Sequence, residues 1–121
     1  VRFGKADGVM VAGEGLETLL SLRQVMPSMP MIAGLSAAHL AAIQFPAALR
    51  CLYVARDDDP AGATALSTLI ERCDPLGIAV IPLEPRLDDF NSDLTAYGPE
   101  RLAAAIRVQL SAADAVQFLK R

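Results

Sequence analysis

The chain has 121 residues, a formal net charge of −3 and a pI of about 5.0, and 53% of it is hydrophobic. That length suits one domain, residues 1–121, large enough to bury a core, and the apolar content excludes a disordered chain. The eleven basic residues are scattered, which excludes a self-sufficient nucleic-acid binder gripping phosphates through a basic stripe.

Residues 8–13, Gly-Val-Met-Val-Ala-Gly, form a short apolar run between glycines and predict a buried strand. After Glu14-Gly15, the leucines at 16, 19, 20 and 22 and Val25 recur at helical spacing until Pro27 stops the pattern. Met31-Ile32-Ala33 predicts a very short second strand, and Ser36 is placed to cap a helix through roughly Ile43. Residues 24–49 carry no formal charge, but Pro27, Pro30, Gly34, His39, Gln44 and Pro46 interrupt them. No unbroken apolar stretch of ~18 residues exists, so no membrane span is expected.

Cys51-Leu52-Tyr53-Val54-Ala55 is the clearest strand. Asp57-Asp58-Asp59 ends it, and Pro60 opens a helix that Gly77 is expected to close. Ile78-Ala79-Val80-Ile81 predicts the next strand, stopping before Pro82. A polar, acidic loop is expected over 88–93, then helices over about 99–108 and 112–120. With aromatics at 5% and no Trp, the core is expected to be mainly Ala, Leu, Ile and Val. Cys51 and Cys73 lack CxxC spacing and read as reduced core residues of a cytoplasmic protein. There is no signal peptide, and the chain opens at Val1 in mid-pattern, which reads as a domain of a longer protein.

Strands alternating with helices predict an α/β fold: a Rossmann-like parallel sheet of about four strands with helices on both faces. Ligands of such sheets bind beyond the carboxyl ends of the strands, where Glu14, the 57–59 acids and the 88–93 acids all fall. Carboxylates gathered there repel one another unless a cation sits among them, and hard cations such as Mg²⁺ take carboxylate, phosphate and water oxygens. In an extended segment Asp57 and Asp59 point the same way and Asp58 the other, so the outer two are the candidate ligand pair. Asp59 also sits where a helix N-cap belongs. Glu14, between Gly13 and Gly15 that permit a sharp turn, is either a general base or acid near bound cations or a helix-start acid favoured by the macrodipole. His39, the sole histidine, has no second His or Cys near it in sequence and reads as a surface residue. Arg56 and Arg86 each stand to contact a phosphate or to pair with an acid.

The run from Val11 to Leu19, with Glu14-Gly15 after a hydrophobic strand, resembles the first motif of Toprim domains. Asp57-Asp58-Asp59-Pro60-Ala61-Gly62 matches their DxDxAG motif, and Asp88-Asp89-Phe90-Asn91-Ser92-Asp93 is similar to the later motif often written KDxND. Residues 34–40 resemble the branch found in plasmid, phage and mobile-element primase/helicase-like proteins. The resemblance implies Mg²⁺, or Mn²⁺, held by Asp57 and Asp59, with Glu14 as ligand or general acid/base and Asp89 as a further metal-binding acid. It also implies nucleic acid and nucleotides as partners, reached through additional domains. Two positions depart from the last motif: Asp88 stands for its Lys, and Ser92 for its closing acid, with Asp93 a possible stand-in.

The leading expectation is the catalytic domain of a primase-like nucleotidyltransferase, inactive without its partner domains. A Toprim nuclease and a degenerate interaction module are the alternatives. Topoisomerase chemistry needs a Tyr nucleophile, and neither Tyr53, mid-strand, nor Tyr97, in an expected loop, suits that role. A phosphoacceptor receiver domain wants a Lys after a late strand, and no Lys occurs between Lys5 and Lys120.

Overall fold

The computed structural model describes the backbone at residues 2–3 and all of residues 8–57 and 59–119. Strands β1 (Arg2–Phe3), β2 (Val9–Gly13), β3 (Met31–Ala33), β4 (Cys51–Ala55) and β5 (Ala79–Leu83) form one sheet in the order β1-β3-β2-β4-β5. The last four of that order run parallel and are the expected sheet, while β1 pairs antiparallel with β3 at the edge. Two residues are too few to show a strand period, so nothing local announces β1.

Among the described residues, five α-helices accompany the sheet: α1 (Leu16–Val25), α2 (Ala37–Ala41), α3 (Pro60–Cys73), α4 (Phe90–Arg107) and α5 (Ala112–Phe118). The strands are continuous apolar runs because both faces of the sheet are covered. Val11, Tyr53, Ala55 and Leu83 face one way and pack with Leu19, Leu22, Phe90, Leu102, Ile106 and Phe118 of α1, α4 and α5. Met10, Ala12, Leu52 and Val54 face the other way, against Leu40 of α2 and Ala65, Leu69 and Cys73 of α3. The core is not only Ala, Leu, Ile and Val: Met10, Met26, Met29 and Met31 are all buried. Flexible thioethers fill the irregular gaps of a core poor in aromatics. Cys51 and Cys73 are free thiols belonging to the two opposite cores.

Four local expectations change. Helix α3 ends at Cys73, and a 3-10 turn over Asp74–Leu76 leads to Gly77. Strand β5 runs through Pro82 to Leu83. The Ala79 N–H donates to the Arg50 carbonyl and Arg56 N–H to the Leu83 carbonyl, so Pro82 turns its missing donor outward from an edge strand, where no ladder bond is lost. Residues 88–93 are not all loop, because α4 starts at Phe90 under an Asp89 cap and is anchored by the fully buried Phe90 ring. That helix kinks at Gly98 (φ 84°), just before Pro99, so its second half is the helix expected over 99–108 and Tyr97 lies in its first half rather than in a loop.

Gly34 joins β3 to α2 at a close approach. A Cβ there would lie 2.6 Å from the Leu40 nitrogen and 2.7 Å from its Cα, backbone that cannot swing aside. Gly34→Ala is therefore expected to destabilise the domain by about 2 kcal/mol, as overpacking does. Denaturant unfolding measures it, and an unchanged midpoint would contradict this packing.

Candidate metal centre

Strands β2 and β4 are neighbours in the middle of the sheet, with Gly13 beside Ala55. The loops that leave their carboxyl ends are therefore adjacent, although Glu14 and Asp57 are 43 positions apart in sequence. Glu14, Asp57 and Asp59 come together there, each offering a carboxylate oxygen, and these oxygens lie within 4.8 Å of one another. Asp58 lies outside the described residues.

The Glu14 backbone is fastened to the next loop. Gly34 N–H donates to the Gly13 carbonyl (2.8 Å) and Leu35 N–H to the Glu14 carbonyl (2.7 Å), with Leu35 in the left-handed region at φ 69°. Gly13 and Gly15 supply no unusual turn, since neither has positive φ. At Gly13 it is space that matters, because a Cβ would press on Leu19 at 3.0 Å. Glu14 is half-buried, and its Oε2 is buried with no hydrogen-bond partner among the described residues.

Asp57 is half-buried, and its Oδ1 accepts a long hydrogen bond from the Thr18 hydroxyl (3.4 Å). Burial first, then the charges of Glu14, Asp59 and Asp89, pushes the Asp57 carboxyl above its ordinary range, and the Thr18 bond opposes that rise. Strand alternation is not needed to bring the two acids together, since Asp59 N–H donates to the Asp57 carbonyl (2.9 Å) and ties the two residues to each other. Asp59 is also the N-cap of α3, its Oδ1 accepting from Gly62 N–H. A Cβ at Gly62 would stand 2.9 Å from the Asp57 carbonyl and 3.1 Å from Asp59 Oδ1, so a larger residue would press on both acids. Capping and membership of the acidic group coexist, because a carboxylate has two oxygens.

Asp89 is not in that group of three. It caps α4 by accepting from Ser92 N–H (2.7 Å), yet its charge still reaches Asp57. Asp93, the possible stand-in for the acid missing at Ser92, is committed elsewhere. It is 2% exposed, and its two oxygens accept from Arg86 N–H (2.7 Å) and Leu87 N–H (2.8 Å), fastening the loop after β5. Asn91 accepts from the Ser21 hydroxyl (3.2 Å) and ties α4 to α1. Arg56 pairs with Glu84 (3.3 Å), and Arg86 lies over the Tyr97 ring (5.7 Å). His39 is exposed on α2. Tyr53 is fully buried, donating to Asp114 (2.6 Å) and accepting from Ser111 N–H, which removes it as a nucleophile.

Thr18 and Ser21 are what a reading by motif overlooks. Both are buried on α1, in the same face as Leu19, Leu22 and Val25. Two hydroxyls three residues apart inside an otherwise apolar helix face were the available signal.

The residues fit a hard divalent cation. The donor groups are all carboxylates, one oxygen of Glu14 is buried and unpartnered among the described residues, and opposite ligands of Mg²⁺ or Ca²⁺ stand about 4–5 Å apart. Among the described residues no helix is long and apolar enough to cross a membrane.

Known proteins bear on this arrangement. No curated protein matches the chain. The primase fragment of the bacteriophage T7 primase-helicase protein is similar at 17% identity and TM-score 0.62, the match covering 86% of this chain and 44% of that one. A DNA primase domain from Pseudomonas aeruginosa is similar at 22% identity and TM-score 0.59, over 86% of this chain and 34% of that one. The zinc-binding and RNA polymerase domains of the Aquifex aeolicus primase are similar at 19% identity and TM-score 0.55, over 85% and 26%. The chain thus spans less than half the length of each, and these likenesses establish the α/β fold. The family model described as Toprim domain matches residues 9–100. Since that stretch contains all four parallel strands and every acid of the centre, the chain belongs to the Toprim domain family.

Proposed function

We propose that this domain is the Mg²⁺-binding catalytic part of a primase-like replication protein, carrying out nucleotidyl transfer on nucleic acid in the cytoplasm. The observation that carries the reading is the trio Glu14, Asp57 and Asp59, with its buried and unpartnered Glu14 oxygen. Asp57 and Asp59 would hold the cation, Mn²⁺ being able to replace Mg²⁺, and Asp89 would add negative charge from the start of α4. A bound cation would neutralise phosphate charge and align an in-line attack on phosphorus. Glu14, fastened at the strand tip, would serve as a ligand or accept the proton of the attacking hydroxyl. The solved structures that resemble the chain are primase fragments, which favours primer synthesis over nuclease cleavage. With a net charge of −3, the grip on template and nucleotides would come from further domains of a longer protein.

The test uses the full-length parent protein. Glu14→Gln is expected to lower Mg²⁺-dependent primer synthesis by roughly 100-fold or more without lowering the unfolding midpoint, since it removes a charge that repels Asp57. Primer synthesis at the unaltered rate would remove Glu14 from the chemistry. Metal-dependent strand cleavage without synthesis would move the activity to the nuclease reading.

A further inference from the structure

We infer that Thr18 is a positioning residue for the metal centre, a hydroxyl on α1 that fixes the Asp57 carboxylate in the orientation a small cation requires. The inference rests on the metal-binding reading of Glu14, Asp57 and Asp59. Thr18 is 5% exposed, and its Oγ1 stands 3.4 Å from Asp57 Oδ1. A hydroxyl carried on a face with Leu19, Leu22 and Val25 is costly unless it has a partner, and Asp57, 39 residues away in sequence, is that partner.

The helix that carries Thr18 is held on both sides. Its first turn follows Glu14-Gly15 directly, so Thr18 and Glu14 share one short segment. Three residues on, Ser21, 3% exposed, donates to Asn91 near the start of α4. Helix α1 thus links the segments that carry Glu14, Asp57 and Asp89 through two buried hydroxyls. The Asp57 side chain follows the end of β4 and is only half-buried, and the Thr18 hydroxyl is the hydrogen-bond donor that reaches it from α1. Groups that orient a ligand in this way matter most for Mg²⁺, which demands near-ideal octahedral geometry, and least for Ca²⁺, which accepts irregular shells.

The experiment titrates this chain with Mg²⁺, Mn²⁺ and Ca²⁺ by calorimetry, in the unaltered form and as Thr18→Val and Thr18→Ser. Thr18→Val keeps the shape and removes the donor, so Mg²⁺ and Mn²⁺ affinities are expected to fall about ten-fold and Ca²⁺ affinity less than about two-fold. Thr18→Ser restores the donor and is expected to return Mg²⁺ affinity to within about two-fold. The unfolding midpoint of Thr18→Val, measured alongside, is expected to change little, because the better fit of an apolar side chain to the buried face offsets the lost bond to the half-buried Asp57. Equal Mg²⁺ affinity in Thr18→Val would overturn the inference. A parallel loss for all three cations with a lowered midpoint would also overturn it, by making Thr18 a packing residue. Absence of binding by the unaltered chain would instead overturn the metal-binding reading beneath it.

Discussion

The double variant Asp57→Asn/Asp59→Asn is expected to lose Mg²⁺ and Mn²⁺ binding by roughly 1,000-fold or more, because the proposed function makes the two direct ligands, which count for more than the outer-shell partners whose loss costs roughly 10–100-fold each. Two of the three clustered carboxylates would become neutral amides. Helix α3 should survive, since asparagine caps as well as aspartate does. The same variant is expected to be more heat-stable than the original when no metal is present. Asp57 has a carboxyl raised above its ordinary value by burial and by Glu14, Asp59 and Asp89, so its ionisation is harder in the folded than in the unfolded chain. Such a group contributes stability that is complete below its unfolded value of about 3.8 and is lost as pH rises through the folded value. The metal-free midpoints should therefore agree near pH 3 and separate above pH 4, the variant melting a few degrees higher at neutral pH. Saturating Mg²⁺ should reverse the order, because binding stabilises only the chain that retains its ligands. Calorimetric titration with paired melting curves measures both halves. Equal Mg²⁺ affinity in the two proteins would remove Asp57 and Asp59 from the centre.

Asp93→Ala is expected to be the most destabilising single change at this edge of the sheet, by about 3 kcal/mol in denaturant unfolding. The carboxylate is buried and accepts two backbone donors, Arg86 N–H and Leu87 N–H, and each bond to a charged acceptor contributes about 1.5–3 kcal/mol. The estimate sits near the low end of that sum because Arg86 and Leu87 are exposed, leaving water able to reach the freed donors. Asp93→Asn keeps one acceptor oxygen and is expected to lose about half as much. Metal affinity should fall only a few-fold in Asp93→Asn, through loosening of the loop that leads to Asp89. A loss as deep as that of the Asp57/Asp59 double variant would make Asp93 a ligand after all, and would contradict the clamp.

The elements of this fold were legible because their signals are local. Apolar runs marked β2, β4 and β5, helical spacing marked α1, and Pro60 opened α3. The start of α4 was not, since Asp88 to Asp93 has loop-like composition and only the burial of Phe90, decided by distant packing, turns it into a capped helix. The extended reading of Asp57 to Asp59 paired the two acids that the structure also brings together, where the bond from Asp59 N–H to the Asp57 carbonyl ties them.

By itself, then, the sequence determined an α/β sheet, its four parallel strands and the carboxylates that gather at its carboxyl edge, because each of these is written in residues close together in the chain. The tertiary structure decided what depends on strand order and on long-range contacts. It set β2 beside β4 and so Glu14 beside Asp57, gave Asp93 to the loop rather than to the acids, and aimed the Thr18 hydroxyl at Asp57. A carboxylate looks the same in the chain whether it meets a cation or a backbone N–H. Which of the two it meets is settled by the elements packed around it.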